Sequence, residues 1–488
     1  MYFRNLFLLT SLTLISSVLV NAQQLTGLQF SNFNGVHAIY TNPAGIADAR
    51  FRKHSNILTT AVMFANDYAR LELPFTFKQW VFGTVSDDYR NNKGNIDWQG
   101  SWLKENLNGK PKNLFVGIEN RGPAYMNRLG RNGAFAVASR TRGTFQLSQV
   151  AEPLVQYAKS VVENQNAITQ ISDSRFTMNV NAYQEMSFTL AHVLLNKKSN
   201  YLKLGGTGKY LMGLGTGYIV NNGFQMNTLG GDSFEITKSD VAVGFTQGAI
   251  FNRFTQGIYQ WALPSLSEIV GGGFGWDAGL IYEYRPGKFD FLTSKNRYLW
   301  KLSISLLDMG SITYGKNGKT FRIMNQTPVR IHIDSGMGNA FTQGIDSGVS
   351  YVRSFARSQM NYEEGSGRIT TSIPSTLNVQ FDWNVVKWLY VGVNWSQAVV
   401  SRRDIALRRP SSLIVIPRIE SKWIECSMPL CLYNDYKNVG MGWFTRIGPV
   451  FFGTDNLLKS IKSNSYNGLD FYMGISTGIG SKKRKKKS

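Results

Sequence analysis

The feature that most constrains this chain is an alternation of apolar and polar residues over unusually long stretches. Between residues 176 and 190 the even positions are mostly Phe, Met, Val, Ala or Leu, and the odd positions are mostly Thr, Asn, Glu or Ser; Gln184 breaks the pattern. The same alternation recurs in residues 276–285, 377–383 and 389–395. A period of two places neighbouring side chains on opposite faces of a β-strand. Each stretch therefore predicts a strand with one apolar face and one polar face.

Stretches of this length favour strands that cross a bilayer. A strand in a soluble sandwich typically has about 5–6 residues, whereas a tilted strand needs about 9–11 to cross the hydrocarbon core. Lipid does not tolerate an open sheet edge, so such strands must close into a barrel. We predict an all-β protein, a closed antiparallel transmembrane β-barrel of about 14 strands. A large exported sandwich or propeller remains the soluble alternative.

Aromatic residues and the connections between strands support an orientation in the membrane. Aromatic side chains cluster around one predicted turn, as they do at membrane interfaces; they are Trp383, Trp388, Tyr390 and Trp395. An even number of strands keeps both chain ends in the periplasm, with tight turns there and long loops outside. The connection 384–387 is therefore predicted to be periplasmic, and the hydrophilic loop 86–112 extracellular. Residues 151–168 are helix-like, and residues 347–357 are assigned to a strand.

The first 22 residues have the pattern of an export signal. Arg4 precedes the apolar run 6–20, and Val20-Asn21-Ala22 forms a small-residue cleavage site. The mature chain should begin at Gln23, and the predicted location is the cell outer membrane. An uncleaved anchor is the alternative, although the apolar run is short for a spanning helix.

The basic C-terminal tail carries six of the charges that make the formal net charge +22. Residues 482–487 read KKRKKK. In an exported protein, such a tail is suited to anionic lipid headgroups or polymers through a salt-sensitive attraction, or it is a solvated terminus. We assign residues 481–488 to a basic periplasmic tail and expect no nucleic-acid partner.

The two cysteines are Cys426 and Cys431. In an exported protein they could close a short disulfide loop, or they could remain unpaired. Their C-x4-C spacing, without neighbouring His or further Cys, is poor evidence for a metal site. We expect them in a polar connection that faces the outside.

The sequence gives little support to an enzyme. Residues 474–478 match the G-x-S-x-G pattern, but that pattern needs a strand-to-helix turn with Asp and His later in the chain, and the last His is His332. The Gly-rich stretch 202–218 with Lys209 lacks the spacing of a phosphate-binding loop. The four His residues are scattered. We expect no catalytic residue, no metal and no cofactor.

Charged residues recur on the polar faces of the predicted strands. In a barrel these side chains would point into the lumen, where they would form either a neutralised network or a path that binds a permeant. The predicted lumen-facing charges are Glu185, Lys203, Lys209, Asp277, Glu283, Arg285 and Asp382, with Lys301 on the same kind of face.

The segment "TNPAGIAD", residues 41–48, precedes the first strand. It resembles the N-terminal hatch of the long-chain fatty-acid transporter (FadL-like) superfamily of Gram-negative outer-membrane barrels, which also includes the type IX secretion shuttle barrels. Further pieces resemble an uncharacterised barrel family related to these; they are "GGTGKYLMG", "GWDAGLIYEYRP", "LSISLLDMGSITY", "IPSTLNVQFDW" and "RIGPVFFGTDNLL". The resemblance implies a hatch or plug over residues 23–53 inside a barrel over residues 54–480. It implies a hatch or ligand region at Asn42, Pro43, Ala44 and Gly45.

Two functions follow as hypotheses. In the first, the protein sits in outer-membrane lipid and binds or passes a hydrophobic small molecule through the plugged barrel, with the apolar insertion 251–270 capping a groove on the loop side. In the second, it does not transport and instead docks exported or cell-surface proteins. The resemblance supports both, since fatty-acid transporters bind apolar ligands and release them sideways through a strand kink, while shuttle barrels bind proteins.

Overall fold

The structure is a computed structural model. It describes residues 25–76, 79, 83–91, 94–162, 170–197, 199–230, 233–246, 266–286, 298–332, 345–386, 388–400, 405, 407–455, 465–466 and 468–480. The predicted signal 1–22, the tail 481–488 and most of the insertion 251–270 lie outside these residues.

Long strands dominate the described chain. In order they are β1 Phe51–Asn66, β2 Ala69–Glu72, β3 Leu103–Glu105, β4 Lys112–Leu129, β5 Gly133–Val150, β6 Gln170–Lys197, β7 Asn200–Gly230, β8 Ser233–Thr246, β9 Gly271–Tyr284, β10 Trp300–Tyr314, β11 Gly318–Asn325, β12 Val329–His332, β13 Asn361–Glu364, β14 Ile369–Ser372, β15 Thr376–Val386, β16 Leu389–Ala398, β17 Ser412–Glu420, β18 Ile424–Ser427, β19 Leu430–Tyr433, β20 Asn438–Met441, β21 Trp443–Ile447, β22 Val450–Thr454, β23 Ser465–Tyr466 and β24 Gly468–Gly480.

The helices are few and short. They are α1 Thr26–Phe30, α2 Glu152–Val162 and α3 Ile345–Gln359, with 3-10 helices at Gly35–Tyr40, Pro43–Ile46, Asp87–Tyr89, Gly100–Trp102 and Leu266–Glu268. In the part of the chain that the structure describes, every helix is too short or too polar to cross a membrane. Helix α2 agrees with the helix-like character of residues 151–168.

Twenty-one of the strands form one antiparallel sheet, and β1 pairs with β24 to close it. Several strands are consecutive pieces of one crossing, such as β8 with β9 and β10 with β11 and β12, so the sheet is a closed barrel of 14 crossings. The predicted closed antiparallel barrel is confirmed. The strands β2, β3 and β23 form a separate small sheet.

The burial pattern of the wall is opposite to that of a soluble protein. On β6 the side chains of Met186, Phe188 and Leu190 are about half exposed, at 50%, 50% and 52%, whereas Ser187 and Thr189 between them are buried. An apolar outer face is stable against lipid, and polar groups inside the barrel can satisfy one another. The alternation in the sequence therefore separates the outer face from the lumen.

Aromatic side chains lie on the outer face near the tight connection between β15 and β16. Trp383 and Trp388 are exposed there, and Trp395 is exposed farther along β16, away from this connection. Tyr390 differs from the other three because it is 1% exposed and packs against Arg418 inside the barrel. It occupies an inward position of β16, so it does not belong to the outer aromatic cluster.

The connections at the two ends of the barrel differ in length. Turns such as 130–132 and 448–449 lie at the end where β24 finishes, and long connections such as the one that joins β1 to β4 lie at the other end. The strands β6 and β7 have 28 and 31 residues, far more than the roughly 9–11 that cross a bilayer. Their excess length projects at the end with the long connections.

One assigned strand is a helix. Residues 347–357 lie within α3, at the end of the barrel with the long connections. Val349, Val352 and Ala356 have the spacing of one helix face. The Ala356 side chain is buried against Phe321 and neighbouring apolar residues. Local alternation is therefore not decisive where a helical spacing is also present.

Residues 25–50 lie inside the barrel, and we call this segment the hatch. Its side chains and backbone contact wall strands on different sides of the lumen, namely β1, β7, β10, β16 and β21. Val36, Ala44, Ile46 and Ala47 are fully buried. The first wall strand begins at Phe51.

Candidate functional site

Asn42 fastens the hatch to two strands of the wall. Its side-chain Nδ2 donates to the carbonyl oxygens of Leu280 and Ile304, at 3.1 and 3.0 Å, and these two residues are paired across β9 and β10. Its Oδ1 accepts a hydrogen bond from the backbone of Ala44 at 3.0 Å. This last bond caps the 3-10 helix that Pro43 begins. One side chain thus both sets the turn and attaches it to the wall.

Two wall glycines make room for this turn. A Cβ atom on Gly205 of β7 would lie 2.4 Å from the backbone nitrogen of Ala44, and a Cβ on Gly279 of β9 would lie 2.1 Å from Oδ1 of Asn42. Both contacts are shorter than any that a side chain can make, so the close approach needs glycine. We call Asn42–Gly45 with Gly205 and Gly279 the hatch seat. The hatch seat explains why Gly205 in "GGTGK" and Gly279 in "DAGL" are glycines.

Further contacts fix the rest of the hatch. Ser305 donates to the carbonyl oxygen of Thr41 at 2.7 Å, and Ser31 donates to Glu425 at 2.6 Å. His37 is buried with its ring edge-on to Phe451, and burial lowers the pKa of this imidazole well below its usual value. The ring therefore stays neutral, as its apolar contact requires.

Three of the predicted lumen charges meet the hatch in one group. Lys203 binds Asp48 of the hatch at 2.8 Å and also Glu283, and Arg285 binds Asp48 at 2.7 Å and also Glu283. The Arg285 guanidinium lies 3.5 Å from the ring centre of Tyr201. Asp48, the last residue of "TNPAGIAD", is a member of this charged group that sequence reasoning missed.

A second group of charged side chains lies on the side of the hatch that faces the long connections, and we call it the ionic layer. Lys209 binds Asp277 at 2.7 Å and Asp308 at 2.5 Å, and Arg140 binds Glu185 at 2.6 Å and Asp308 at 2.7 Å. The layer consists of Glu119, Arg121, Arg140, Arg142, Glu185, Lys209, Asp277, Asp308 and Arg409.

The ionic layer rests on the hatch through one aromatic ring. The guanidinium groups of Arg121 and Arg140 lie 4.3 and 4.9 Å from the ring centre of Tyr40. The arginines of the layer were missed, although Arg140 and Arg142 alternate along "SRTRG" and so share the inner face of β5. A guanidinium desolvated over an aromatic ring is held firmly.

Asp382, the remaining predicted charge, is held by Arg418. Both Asp382 oxygens accept from Arg418 at 2.9 Å, and the Tyr298 hydroxyl donates to Asp382 at 2.5 Å. Arg418 also binds Glu420 at 3.1 Å. A bidentate arginine is the strongest partner a carboxylate has among side chains.

All seven predicted charges are buried, and each has at least one oppositely charged partner. This arrangement agrees with a neutralised network; a permeant-binding role stays a hypothesis. An apolar cluster lies beyond the ionic layer, toward the end with the long connections, and it includes Leu211, Ile312 and Tyr314. From the end with the tight turns to the end with the long connections, the lumen is thus filled by the hatch, then by the charged side chains of the ionic layer, and then by the apolar cluster.

The two cysteines do not pair. Both thiols are free: Cys426 lies on β18 and Cys431 on β19, consecutive pieces of one crossing with side chains on opposite faces. Five residues of extended strand span roughly 16 Å, and a disulfide requires Cα atoms within about 7 Å. The sequence had led us to expect both cysteines in a polar connection that faces the outside. That expectation was wrong, because both lie on wall strands.

The remaining motifs have structural positions. Ser476 of the G-x-S-x-G pattern lies in the middle of β24, where it pairs with Asn56, and not at a strand-to-helix turn. Lys209 of the Gly-rich stretch lies in the ionic layer. Among the described residues, no group of three or more His, Cys, Asp or Glu side chains is placed to hold a metal.

The wall has a defect beside the hatch. The ladder between β1 and β4 skips two residues on each strand, Ile57 and Leu58 opposite Gly122 and Pro123. The side chains of Ile57 and Leu58 are both outward and are 61% and 52% exposed. The next inward residue of β1 toward the tight turns is Asn56, which bonds to the carbonyl oxygen of Arg121. We call this site the wall defect.

The sequence matches a family described as "Family of unknown function (DUF5723)" over residues 43–455. The chain is a member of DUF5723. The matched region begins inside the hatch seat and covers the wall through β22. A search of curated proteins finds no match to this DUF5723 protein.

Solved structures similar to this DUF5723 protein include transporters and channels. The toluene transporter TbuX of Ralstonia pickettii is 9% identical with a TM-score of 0.40, covering 91% of this chain and 94% of that one. The toluene transporter TodX of Pseudomonas putida is 8% identical with a TM-score of 0.30, covering 91% and 93%. A FadL homologue of Pseudomonas aeruginosa is 12% identical with a TM-score of 0.24, covering 94% and 96%. Such TM-scores are too low to carry a ligand over to this chain.

Proposed function

We propose that this DUF5723 protein is an outer-membrane barrel that passes a small hydrophobic molecule, with the hatch as its gate. The observation that carries the proposal is the position of the wall defect beside the hatch. Val36 of the hatch donates to His54 at 3.2 Å, and His54 is two residues from Asn56 at the edge of the defect. A molecule released by the hatch would therefore meet a stretch of wall where the β1–β4 hydrogen-bond ladder is interrupted and the outer face meets lipid.

The surroundings of the defect suit an apolar permeant. Ile57 and Leu58 line it with exposed aliphatic side chains, and Gly122 contributes no side chain. A hydrophobic molecule leaves water for lipid with favourable free energy, about 25 cal/mol per Å² of apolar surface. Exit of an apolar molecule from the lumen into lipid through the wall defect therefore requires no further driving force. A polar solute would be retained in the lumen.

Passage requires the hatch and the side chains packed on it to move, because the hatch, the ionic layer and the apolar cluster fill the lumen among the described residues. The hatch is held by hydrogen bonds, ion pairs and packing at the seat, with no covalent link among the contacts described, so displacement is reversible. The docking of exported proteins remains the alternative hypothesis, and no described contact bears on it.

The experiment is uptake of radiolabelled toluene by cells that express the full-length protein, compared with cells that carry the empty vector. We expect severalfold faster toluene uptake with the protein and no change in uptake of a polar solute such as arabinose. The amount of inserted barrel is matched by heat-dependent migration on gels. Toluene uptake equal to that of the vector cells, with normal insertion, would contradict passage.

A further inference from the structure

A cavity of about 70 Å³ lies between the hatch and the wall strands β9, β10 and β15. Its lining is mostly polar; the hatch contributes Asn32, Asn34 and Thr41, and the wall contributes Lys301, Ser303 and Gln380. Two carboxylates also line it, Asp48 and Glu283, and Lys203 binds both. A single water needs about 10–15 Å³ of such space. The cavity therefore has room for a few waters or for one ion of four or five heavy atoms, and it is too small for an alkyl chain.

The charged groups around the cavity include one more cation than carboxylates. The five cations are Arg50, Lys203, Arg285, Lys301 and Arg418, and the four carboxylates are Asp48, Glu283, Asp382 and Glu420. Lys301 shares its carboxylate with another cation: its ammonium lies 3.3 Å from Asp382, and it also donates to the Tyr298 hydroxyl at 3.5 Å. That carboxylate already accepts two hydrogen bonds from Arg418 and one from Tyr298.

Gln380 supplies a donor without a partner. Its side chain is 7% exposed, and no described atom accepts a hydrogen bond from its Nε2. In the register of β10 and β15, Gln380 pairs with Ser303 and Asp382 pairs with Lys301. Lys301 and Gln380 are therefore diagonal neighbours on the inner face, roughly 7–8 Å apart at their Cα atoms. Both line the same cavity.

We propose that this cavity binds a small oxyanion, a carboxylate or a phosphate, through Lys301 Nζ and Gln380 Nε2. An ammonium and an amide donor facing one polar cavity suit an acceptor with two or more oxygens. Water could satisfy the amide but would leave the excess positive charge of the group uncompensated. The bound anion touches the hatch and the wall together and so stabilises the seated hatch. The site is independent of hydrophobic passage.

The test is calorimetric titration of the purified full-length protein in detergent with acetate and, separately, with inorganic phosphate. We expect saturable binding of one anion per chain. Lys301→Met and Gln380→Met each remove one donor and keep a similar volume, and each should weaken binding at least tenfold. Lys316→Met is the matched control, because Lys316 is an exposed cation in the turn between β10 and β11; it should bind as the unaltered chain does.

The outcomes separate the two anion sources. Saturation by acetate alone assigns a carboxylate, and saturation by phosphate alone assigns a phosphate. The absence of saturable binding by either anion overturns the proposal, as does undiminished binding in the two variants. If Lys301→Met fails to insert, as judged by heat-dependent migration on gels, the Gln380→Met titration decides.

Discussion

At the scale of single residues, the hatch seat explains why Asn stands before Pro in residues 42–43. Asn42 needs both an acceptor for the Ala44 amide and a donor that reaches two wall carbonyls. Asp lacks the donor, and Ser is too short to span from the turn to the sheet. Sequence reasoning could predict a tight turn that satisfies its own backbone. It could not predict the wall partners, since Leu280 is 238 residues away in the chain.

Asn42→Ala should loosen the hatch without disturbing the barrel. It removes the acceptor of a buried backbone amide, which costs about 1–3 kcal/mol, while the two wall carbonyls keep their ladder bonds. Hydrogen exchange in residues 25–50 should therefore accelerate by roughly tenfold to a hundredfold, and exchange in the wall should not change. Asn42→Asp should accelerate hydrogen exchange in residues 25–50 at least as much, because this substitution places a carboxylate against two carbonyl oxygens.

Asn95→Ala serves as the control for this exchange measurement. Asn95 is an exposed residue of the loop between β1 and β4. Its replacement should leave hatch exchange unaltered. Equal exchange rates for residues 25–50 in Asn42→Ala and in Asn95→Ala would show that the seat does not hold the hatch.

At the scale of strands and loops, alternation predicted which residues face outward and which face the lumen. The reason is that one face of a barrel strand contacts lipid and the other contacts polar groups, so a one-residue slip would expose the wrong set. Alternation predicted the wrong structure for residues 347–357, which lie in α3, because helical spacing and alternation coexist there. The two cysteines were expected in a connection but lie on wall strands. It also could not predict that β6 and β7 extend far beyond the membrane, because pattern alone does not mark the membrane boundary.

The unequal connections predict the orientation of the protein. Loop 67–111 belongs to the outer end, and the turn 130–132 belongs to the periplasmic end. An epitope inserted after Gly109, an exposed loop position, should be reached by antibody on intact cells. The same epitope inserted in the turn 130–132 should be reached only after permeabilisation. The reverse labelling pattern would refute this orientation.

At the scale of the whole molecule, the lumen is closed by the hatch, the ionic layer and an apolar cluster. Sequence reasoning found the charges Glu185, Lys209 and Asp277, because each stands on a polar strand face. It missed most of their partners, since Arg140 and Asp308 are 168 residues apart and meet only when the sheet closes. Buried ion pairs add little net stability, yet removing one partner is costly. The ion pairs therefore restrict the movement of side chains in the layer, whereas the proposed function requires the hatch to move.

The central claim is that the hatch, held at its seat, closes the barrel. It is tested most directly by current through single proteins in a planar bilayer. The full-length protein should pass no steady current, and Gly279→Ala should open it in steps, because the added Cβ displaces Asn42. Gly208→Ala, where a Cβ meets nothing within 4 Å, should remain closed. A Gly279→Ala barrel as silent as the unaltered protein, or a steady current through the unaltered protein, would contradict the account.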